Sequence, residues 1–270
     1  MTTVVAAFYK FVAIEDGPEL KSRLGELGCS RGLKGTILIA PEGINVTISA
    51  RPENMEAFLA ALNSDPRFDN LAVKFSTAPK HPFQRFKVKL KSEIITFGVP
   101  EANPAVHVGT YVKPQDWNAI ISDPDVIVLD TRNSYEVDIG SFERALDPKT
   151  SSFSELPAFV EKHLDPKKHK RLAMFCTGGI RCEKASAYLL TKGFLEVYHL
   201  EGGILKYLET VPPEQSLWRG ECFVFDERVA VEHGVKPGRH VMCPDCGRAI
   251  PKTGSVAAPS CPHCIRDNSN

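Results

Sequence analysis

The alternation of apolar and polar positions divides the first hundred residues into six short elements. Apolar runs rich in β-formers predict four strands, at residues 4–12, 36–40, 44–49 and 71–76. Apolar residues at helical spacing predict two helices, at residues 18–27 and 53–62, and Gly28 ends the first. This order predicts a ferredoxin-like (acylphosphatase-like) α+β sandwich. The fold alone indicates no function.

A different alternation follows between residues 108 and 210. Fully apolar runs predict strands at 126–129 and 172–175, with a further strand at 196–199. The segments between and around them predict helices at residues 116–121, 156–163 and 183–190. Apolar strands that alternate with helices predict a parallel sheet covered on both faces. Ligands of such sheets bind beyond the carboxyl ends of strands, where Asp130 and Cys176 lie.

A basic strand is predicted between the two patterns, at residues 84–91. Its alternation places Phe86, Val88 and Leu90 on one face. The other face carries four basic side chains: Arg85, Lys87, Lys89 and Lys91. Two interpretations stay open. The lysines protect an exposed sheet edge from pairing with other strands, or they bind the phosphates of a nucleic acid.

Proline-rich segments near residues 100–104 and 211–213 predict three domains, at residues 1–100, 101–217 and 218–270. The whole chain has 33 basic and 33 acidic side chains, a balance that argues against a polybasic nucleic-acid binder. The balance is uneven, however, since the three domains carry net charges of +3, −4 and +1. We therefore expect modest affinity for RNA, with the basic residues concentrated in the first domain.

No apolar run approaches the roughly 20 residues that span a membrane, and the first residues lack the features of a signal peptide. We expect a cytoplasmic protein without a membrane partner. Its eight cysteines are then expected to be thiols, catalysts or metal ligands rather than disulfides.

The most informative segment begins at a cysteine that ends a predicted strand and precedes a helix. Its six residues are Cys176, Thr177, Gly178, Gly179, Ile180 and Arg181. Glycines let the amide N–H groups of a short loop converge, and the helix amino terminus and Arg181 add positive charge. These features predict a thiolate of lowered pKa at Cys176, against the alternative of a buried cysteine before a tight turn. Four residues separate Cys176 from Arg181, where cysteine phosphatases have five, so phosphatase activity is not expected and a smaller anion such as a persulfide fits better.

Several stretches together resemble the rhodanese-containing tRNA uridine hydroxylases, which make 5-hydroxyuridine at the wobble position. The matching stretches are residues 40–45, 130–136, 175–184 and 221–229. Residues 197–204 resemble a rhodanese domain, together with residues 130–132 and the cysteine loop. The resemblance implies a rhodanese-like domain with Cys176 as the active-site cysteine and an amino-terminal domain that helps to hold tRNA. It also implies O₂ as co-substrate and no DNA partner. Residue patterns alone identify neither a flavin site nor an electron donor.

Two other functions stay open beside the hydroxylase. The first is a sulfurtransferase that carries a persulfide on Cys176 to an acceptor. The second is a non-catalytic RNA-binding module with a relict rhodanese fold, although an intact cysteine loop argues against it.

Alternatives also stay open for the roles of the residues around Cys176. Asp130 and Arg132 either brace the loop, contact substrate or form an ion pair within the domain. Arg181 either stabilises the thiolate or binds a substrate phosphate. Cys182 either resolves an oxidised Cys176 as a disulfide or simply packs in the core.

The carboxy-terminal segment contains two Cys-x-x-Cys pairs that are separated by 14 residues: Cys243, Cys246, Cys261 and Cys264. This spacing is typical of a zinc ribbon, and a structural Zn²⁺ would supply the folding energy that so short a segment lacks. The alternative is two redox-active pairs, but no thioredoxin-like pattern surrounds them. The two remaining cysteines, Cys29 and Cys222, are predicted to be packing residues.

Overall fold

The amino-terminal domain is a five-stranded sheet with two helices. A computed structural model describes residues 2–252 and 261–267 of the chain. The elements of this domain are β1 (Thr3–Phe11), α1 (Gly17–Ser30), β2 (Lys34–Ala40), β3 (Gly43–Ala50), α2 (Pro52–Asn63), β4 (Lys74–Ala78) and β5 (Phe86–Leu90).

The strand order β4-β1-β3-β2-β5 contains the ferredoxin-like arrangement that the sequence predicts, extended by one edge strand. β5 pairs in parallel with β2, so the basic segment does form a sheet edge. Side chains of alternate positions, such as Ile37 and Val46, pack under α1 and α2 in the domain core. The opposite face carries the other positions, such as Leu38 and Asn45, and it is not covered by the domain's own helices.

The second domain is built around a parallel sheet, as predicted. Its elements are β6 (Thr110–Val112), α3 (Pro114–Ser122), β7 (Val126–Asp130), α4 (Ser134–Val137), β8 (Gly140–Phe142), α5 (Leu156–His163), β9 (Arg171–Phe175), α6 (Ile180–Thr191), β10 (Glu196–Leu200) and α7 (Gly203–Thr210). The order β6-β10-β9-β7 is parallel throughout. One face packs on α3 and α7 and the other on α5 and α6.

The carboxy-terminal segment starts inside the core of the second domain. Its elements are β11 (Trp218–Gly220), β12 (Cys222–Phe223), β13 (Ala230–Glu232), β14 (Lys236–Pro237), β15 (His240–Met242), β16 (Ala249–Pro251) and α8 (Pro262–Asp267). β11 pairs with β8, and Trp218, Cys222 and Val231 belong to the apolar cluster beneath α3 and α7. The part from β15 onward has a small cluster of its own around Ile250.

The uncovered face of the first sheet lies against the carboxyl ends of the parallel strands in the second domain. Residues from this face, from the loop after β9 and from the segment after β12 line one common cavity. Among the described helices, none has both the length and the apolar character needed to cross a membrane.

Candidate active site

Cys176 lies directly after β9 and is fully buried at the start of a tight loop. Its Sγ accepts a hydrogen bond of 3.1 Å from the backbone N–H of Gly179. Gly179 has φ of +101°, and a Cβ there would lie 2.8 Å from the hydroxyl of Tyr9. Both the backbone conformation and the lack of space therefore favour glycine at this position.

Several groups around Cys176 stabilise its thiolate. Burial raises the pKa of the thiol, but hydrogen bonds from Cys182 and Gly179 and the charge of Arg181 outweigh it and lower the pKa to about 5. A cysteine with this pKa is ionised at neutral pH and is nucleophilic. The geometry agrees with the expected convergence of loop amides and positive charge.

The amino terminus of α7 supports the same loop from the other side. The backbone N–H of Ile204 donates to the carbonyl of Cys176 at 2.9 Å, and that of Leu205 donates to the carbonyl of Thr177 at 3.1 Å. A Cβ on Gly203 would lie only 2.5 Å from the carbonyl oxygen of Cys176. Gly203 is therefore needed for close packing against the cysteine loop.

Arg181 binds a carboxylate rather than the cysteine. Its Nη1 and Nη2 donate to the two carboxylate oxygens of Glu136 at 2.6 and 2.8 Å, and Nη2 also lies 3.3 Å from the hydroxyl of Thr177. The Glu136 side chain is fully buried. Burial raises the pKa of Glu136, but Arg181 outweighs this and lowers it. Arg181 thus acts on Cys176 through its charge, held in place by a bidentate ion pair.

Asp130 and Arg132 form an ion pair within the domain, one of the three roles that the sequence left open. Their closest charged atoms are 2.6 Å apart and both side chains are fully buried. Arg132 also donates to the carbonyls of Glu136 and Gly140. Neither residue lines the cavity, so the pair fixes the end of β7 relative to β8.

Cys182 is a buried free thiol beside Cys176. Burial raises its pKa well above the ordinary value, and the neighbouring Cys176 raises it further. Its sulfur lies 3.6 Å from the hydroxyl of Thr131. Cys182 is therefore a neutral donor to the Cys176 thiolate, and its role in resolving an oxidised Cys176 stays a prediction.

A cavity of about 560 Å³ opens above the cysteine loop. It lies between the first sheet, the loop and the carboxy-terminal segment. Its lining includes, in chain order, Tyr9, Asn45, Thr47, Lys74, Tyr135, Cys176, Thr177, Gly178, Ile180, Arg181, Phe225, Asp226 and Arg228. The larger part of the lining is apolar, with side chains such as Phe8, Leu38 and Phe75, and Cys176 is its one thiol.

Contacts of α6 close the interface between the two domains. The hydroxyl of Tyr9 donates to Glu183 at 2.6 Å. The buried Lys184 ammonium lies 2.9 Å from Glu42 and 2.5 Å from Glu93. The stretch 40–45 and the stretch 175–184, which are separate in sequence, therefore meet across the interface and hold the cysteine loop under the first sheet.

The basic strand β5 lies next to β2, which contributes to the cavity lining. Lys87 and Lys89 pair in register with Thr36 and Leu38, which belong to the cavity side of the sheet. Arg85 and Lys87 line a groove that adjoins the cavity. Arg85, Lys87, Lys89 and Lys91 are exposed. The strand is thus an edge strand, and its basic face lies on the same side of the sheet as the cavity.

The four carboxy-terminal cysteines converge, with all four sulfurs within 4.8 Å of one another. Two of the separations are 3.8 Å (Cys243 to Cys264) and 3.6 Å (Cys246 to Cys261). Zinc–sulfur bonds of about 2.3 Å in a tetrahedral site put sulfurs about 3.8 Å apart. The arrangement fits a Cys₄ zinc site.

Of the two cysteines predicted to be packing residues, one is buried and the other is exposed. Cys222 is fully buried in the core of the second domain, as predicted. The prediction for Cys29 is wrong, because this side chain is exposed. The buried positions of α1 are Leu20, Leu24 and Gly28, and Cys29 follows a quarter turn away on the solvent side.

Sequence reasoning missed several residues of the site: Tyr9, Lys74, Glu136 and Glu183. Glu136 forms a capping box with Asn133 at the start of α4, and the Asn-x-x-Glu spacing is a local signal for it. The other three carry no local signal, because only the packing of two domains brings them to the cysteine loop.

Comparison with known proteins identifies both domains. Residues 3–94 match the UPF0176 acylphosphatase-like domain and residues 113–210 match the rhodanese-like domain. Two solved structures, a rhodanese-related protein from Thermoplasma volcanium and a rhodanese-like domain protein from Staphylococcus aureus, are 27% and 19% identical. They match 38% and 36% of this chain and 95% and 90% of their own, with TM-scores of 0.31 each, which add nothing to the assignment.

A curated relative covers almost the whole chain. The tRNA uridine(34) hydroxylase of Picosynechococcus sp. is 52% identical over 267 residues, which are 97% of this chain and 90% of the relative. Identity at this level spans both domains and the carboxy-terminal segment. The chain therefore belongs to the tRNA uridine(34) hydroxylase family.

Proposed function

We propose that the protein hydroxylates C5 of the wobble uridine of tRNA in the cavity above Cys176. The observation that carries this proposal is a buried thiol with a pKa of about 5 at the floor of a cavity between two domains. The name of the curated relative supports the substrate. A volume of about 560 Å³ falls within the range of small-molecule sites, so one flipped-out nucleotide fits the cavity and a duplex does not.

The thiolate gives Cys176 a direct chemical role. C6 of a uracil is electrophilic, and addition of Sγ there moves the C5–C6 π electrons onto O4, which makes C5 nucleophilic. We infer that C5 then takes oxygen from O₂. One oxygen atom replaces the C5 hydrogen and the other leaves as water, and this consumes two electrons and two protons from a reductant.

The first domain supplies the approach to the cavity in this proposal. The exposed side chains of Arg85, Lys87, Lys89 and Lys91 continue the cavity face to the sheet edge. Phosphate contacts of this kind position a nucleic acid without reading its sequence. Phe225, which is 61% exposed at the rim of the cavity, offers a ring on which an unpaired base can stack.

Persulfide transfer by Cys176 is the second candidate. The four-residue loop and the low thiol pKa favour it, because a compact loop accommodates one added sulfur. The two functions differ in the product on the tRNA, which is an added oxygen in one case and an added sulfur in the other.

We also propose a structural Zn²⁺ bound by Cys243, Cys246, Cys261 and Cys264. The convergence of the four sulfurs supports it. A bound zinc ion would cross-link the segment that begins at β15, whose own apolar cluster is small. The ion has no place in the reaction, since none of the four cysteines lines the cavity.

Nucleoside analysis of tRNA tests the proposed function. The gene is deleted in its host, any parallel route to 5-hydroxyuridine is also removed, and the strain is complemented with wild type, Cys176→Ala or Cys29→Ala. We expect 5-hydroxyuridine with wild type and with the exposed-cysteine control Cys29→Ala, and none with Cys176→Ala. Full restoration by Cys176→Ala contradicts the role of Cys176. A thiolated nucleoside that depends on Cys176 supports sulfur transfer instead.

A further inference from the structure

Hydroxylation at C5 requires that the carbon lose its hydrogen as a proton. Cys176 cannot take this proton while it is bonded to C6. We propose that Tyr9 and Glu183 form the proton-transfer pair that removes the C5 proton, an inference that rests on the proposed function.

The hydroxyl of Tyr9 occupies the position such a group needs. Tyr9 lines the cavity together with Cys176. Its oxygen lies 2.8 Å from the point where a Cβ on Gly179 would stand, and the N–H of Gly179 holds the sulfur of Cys176. The hydroxyl is therefore close to the sulfur, on the cavity side of the loop.

Glu183 completes the pair from behind the hydroxyl. It lies in the first turn of α6 and accepts a hydrogen bond of 2.6 Å from Tyr9, but it is outside the cavity lining. A proton can therefore leave the cavity through Tyr9 in one step, without water.

The surroundings raise the pKa of the Glu183 carboxyl, which makes its carboxylate a stronger base. Burial raises its pKa, hydrogen bonds from Tyr9 and Tyr111 and the charge of Lys74 oppose the rise, and the charge of Cys176 adds to it. Burial also raises the pKa of Tyr9 well above its ordinary value, so Tyr9 stays neutral and relays the proton. General bases work best when their pKa lies near the operating pH.

The step balances without an oxidant. After oxygen is attached to C5, the C5–H electron pair becomes the C5=C6 π bond and the C6–Sγ bond breaks, so that Cys176 leaves as a thiolate. The C5 proton goes to the Tyr9 oxygen while the Tyr9 hydroxyl proton goes to a carboxylate oxygen of Glu183.

The same hydrogen bond also joins the two domains, so a purely structural role has to be distinguished. Glu183→Gln keeps an oxygen that can accept from Tyr9 but cannot take a proton. Tyr9→Phe removes the relay. Tyr198→Phe is the matched control, because the Tyr198 hydroxyl also donates to a carboxylate, that of Glu196 at 3.1 Å, but lies outside the cavity lining.

The experiment measures tritium released to water from tRNA that carries [5-³H]uridine, in single-turnover reactions of the full chain supplied with O₂ and a two-electron reductant that supports wild-type turnover. We expect Tyr9→Phe and Glu183→Gln each to slow release about 10²-fold or more, and Tyr198→Phe to change it by less than about threefold. We also expect a primary isotope effect to appear with [5-²H]uridine in the two slow variants. Glu183→Gln should in addition reduce the decline of the rate on the acid side of the pH profile to the part that protonation of Cys176 causes.

Two results would overturn the relay. One is release by Tyr9→Phe and Glu183→Gln at the wild-type rate. The other is a slower rate with an unchanged isotope effect and an unchanged pH profile, which identifies a structural contact. The proposed function fails separately, if wild type releases no tritium from the wobble position or if Cys176→Ser releases it at the wild-type rate.

Discussion

The protein uses cysteine in two regions under opposite physical conditions. Cys176 lies in a core that other residues form. The carboxyl end of β9, the amino terminus of α7 and the amide of Gly179 fix its position. The four carboxy-terminal cysteines belong to a segment in which the apolar cluster of the described residues consists of Ile250, Val241, Cys243, Cys261 and Cys264. The nucleophile is thus positioned by the packing of other residues. The four ligands, in contrast, depend on the bound metal for the folding of their segment.

Metal removal should separate the two regions most strongly. Structural zinc contributes about 10–16 kcal/mol to the folding of small zinc domains, so chelation should unfold the segment from β15 onward. Limited proteolysis before and after chelation checks this, with metal content measured on protein that is purified without chelator. A metal content near zero, or unchanged proteolysis, contradicts the zinc proposal. Cys246→Ser should lose the metal and Cys176→Ser should retain it.

The scaffold of the nucleophile should depend on the buried pair between Glu136 and Arg181. Glu136→Gln leaves the Arg181 charge without its counter-ion, and breaking a buried pair costs about 3–5 kcal/mol. Denaturant unfolding measures the loss. The matched control is Glu161→Gln, whose pair with Lys192 is exposed and should cost less than about 1 kcal/mol. Equal losses of unfolding free energy in the two variants would contradict a larger contribution of the buried Glu136 pair.

The pH dependence of Cys176 provides a direct test of its surroundings. The pKa is lowered to about 5, so the thiolate should be present above this pH and should be lost as the pH falls below it. The difference in thiolate absorbance between wild type and Cys176→Ser isolates this group from the other cysteines. A midpoint near the ordinary value of about 8.5 would contradict the proposed stabilisation.

The basic edge strand should affect binding without altering either cysteine region. Lys87→Glu with Lys89→Glu should weaken tRNA binding and reduce the slope of log affinity against log salt by about one per lost phosphate contact. The same double charge reversal at the exposed Lys167 and Lys168 is the control. An equal salt slope in wild type and the β5 variant would leave β5 with its edge-protecting role alone.

Much of the fold follows from local patterns. The period of the apolar residues places α5 at residues 156–163 in both sequence and structure, and the order of elements predicts both sheets. The short strands β6, β8 and β11 could not be predicted, because three residues of a strand contain less than two full periods. Local patterns also do not predict that Trp218 packs into the core of the second domain.

The candidate site likewise has one part that the sequence predicts and another part that it does not. Cys176 and its loop are evident from contiguous residues, since glycines, arginine and a helix start act within one turn. Tyr9 and Lys74 lie more than 100 residues from Cys176 in the chain. They are polar residues in strands of the first domain, and the sequence around them does not indicate a contact with the cysteine loop. For Arg181, the sequence indicates a charge that stabilises the thiolate, which the structure supports, but it does not indicate the buried partner Glu136.

Isotope labelling tests the central claim most directly. Cells without the gene and without any parallel route are complemented with wild type or Cys176→Ser and grown under ¹⁸O₂, and the tRNA nucleosides are analysed by mass spectrometry. We expect 5-hydroxyuridine that carries ¹⁸O in cells with wild type and none in cells with Cys176→Ser. Unlabelled oxygen in the product would contradict the role of O₂, and equal labelled product from Cys176→Ser would contradict the role of the cysteine.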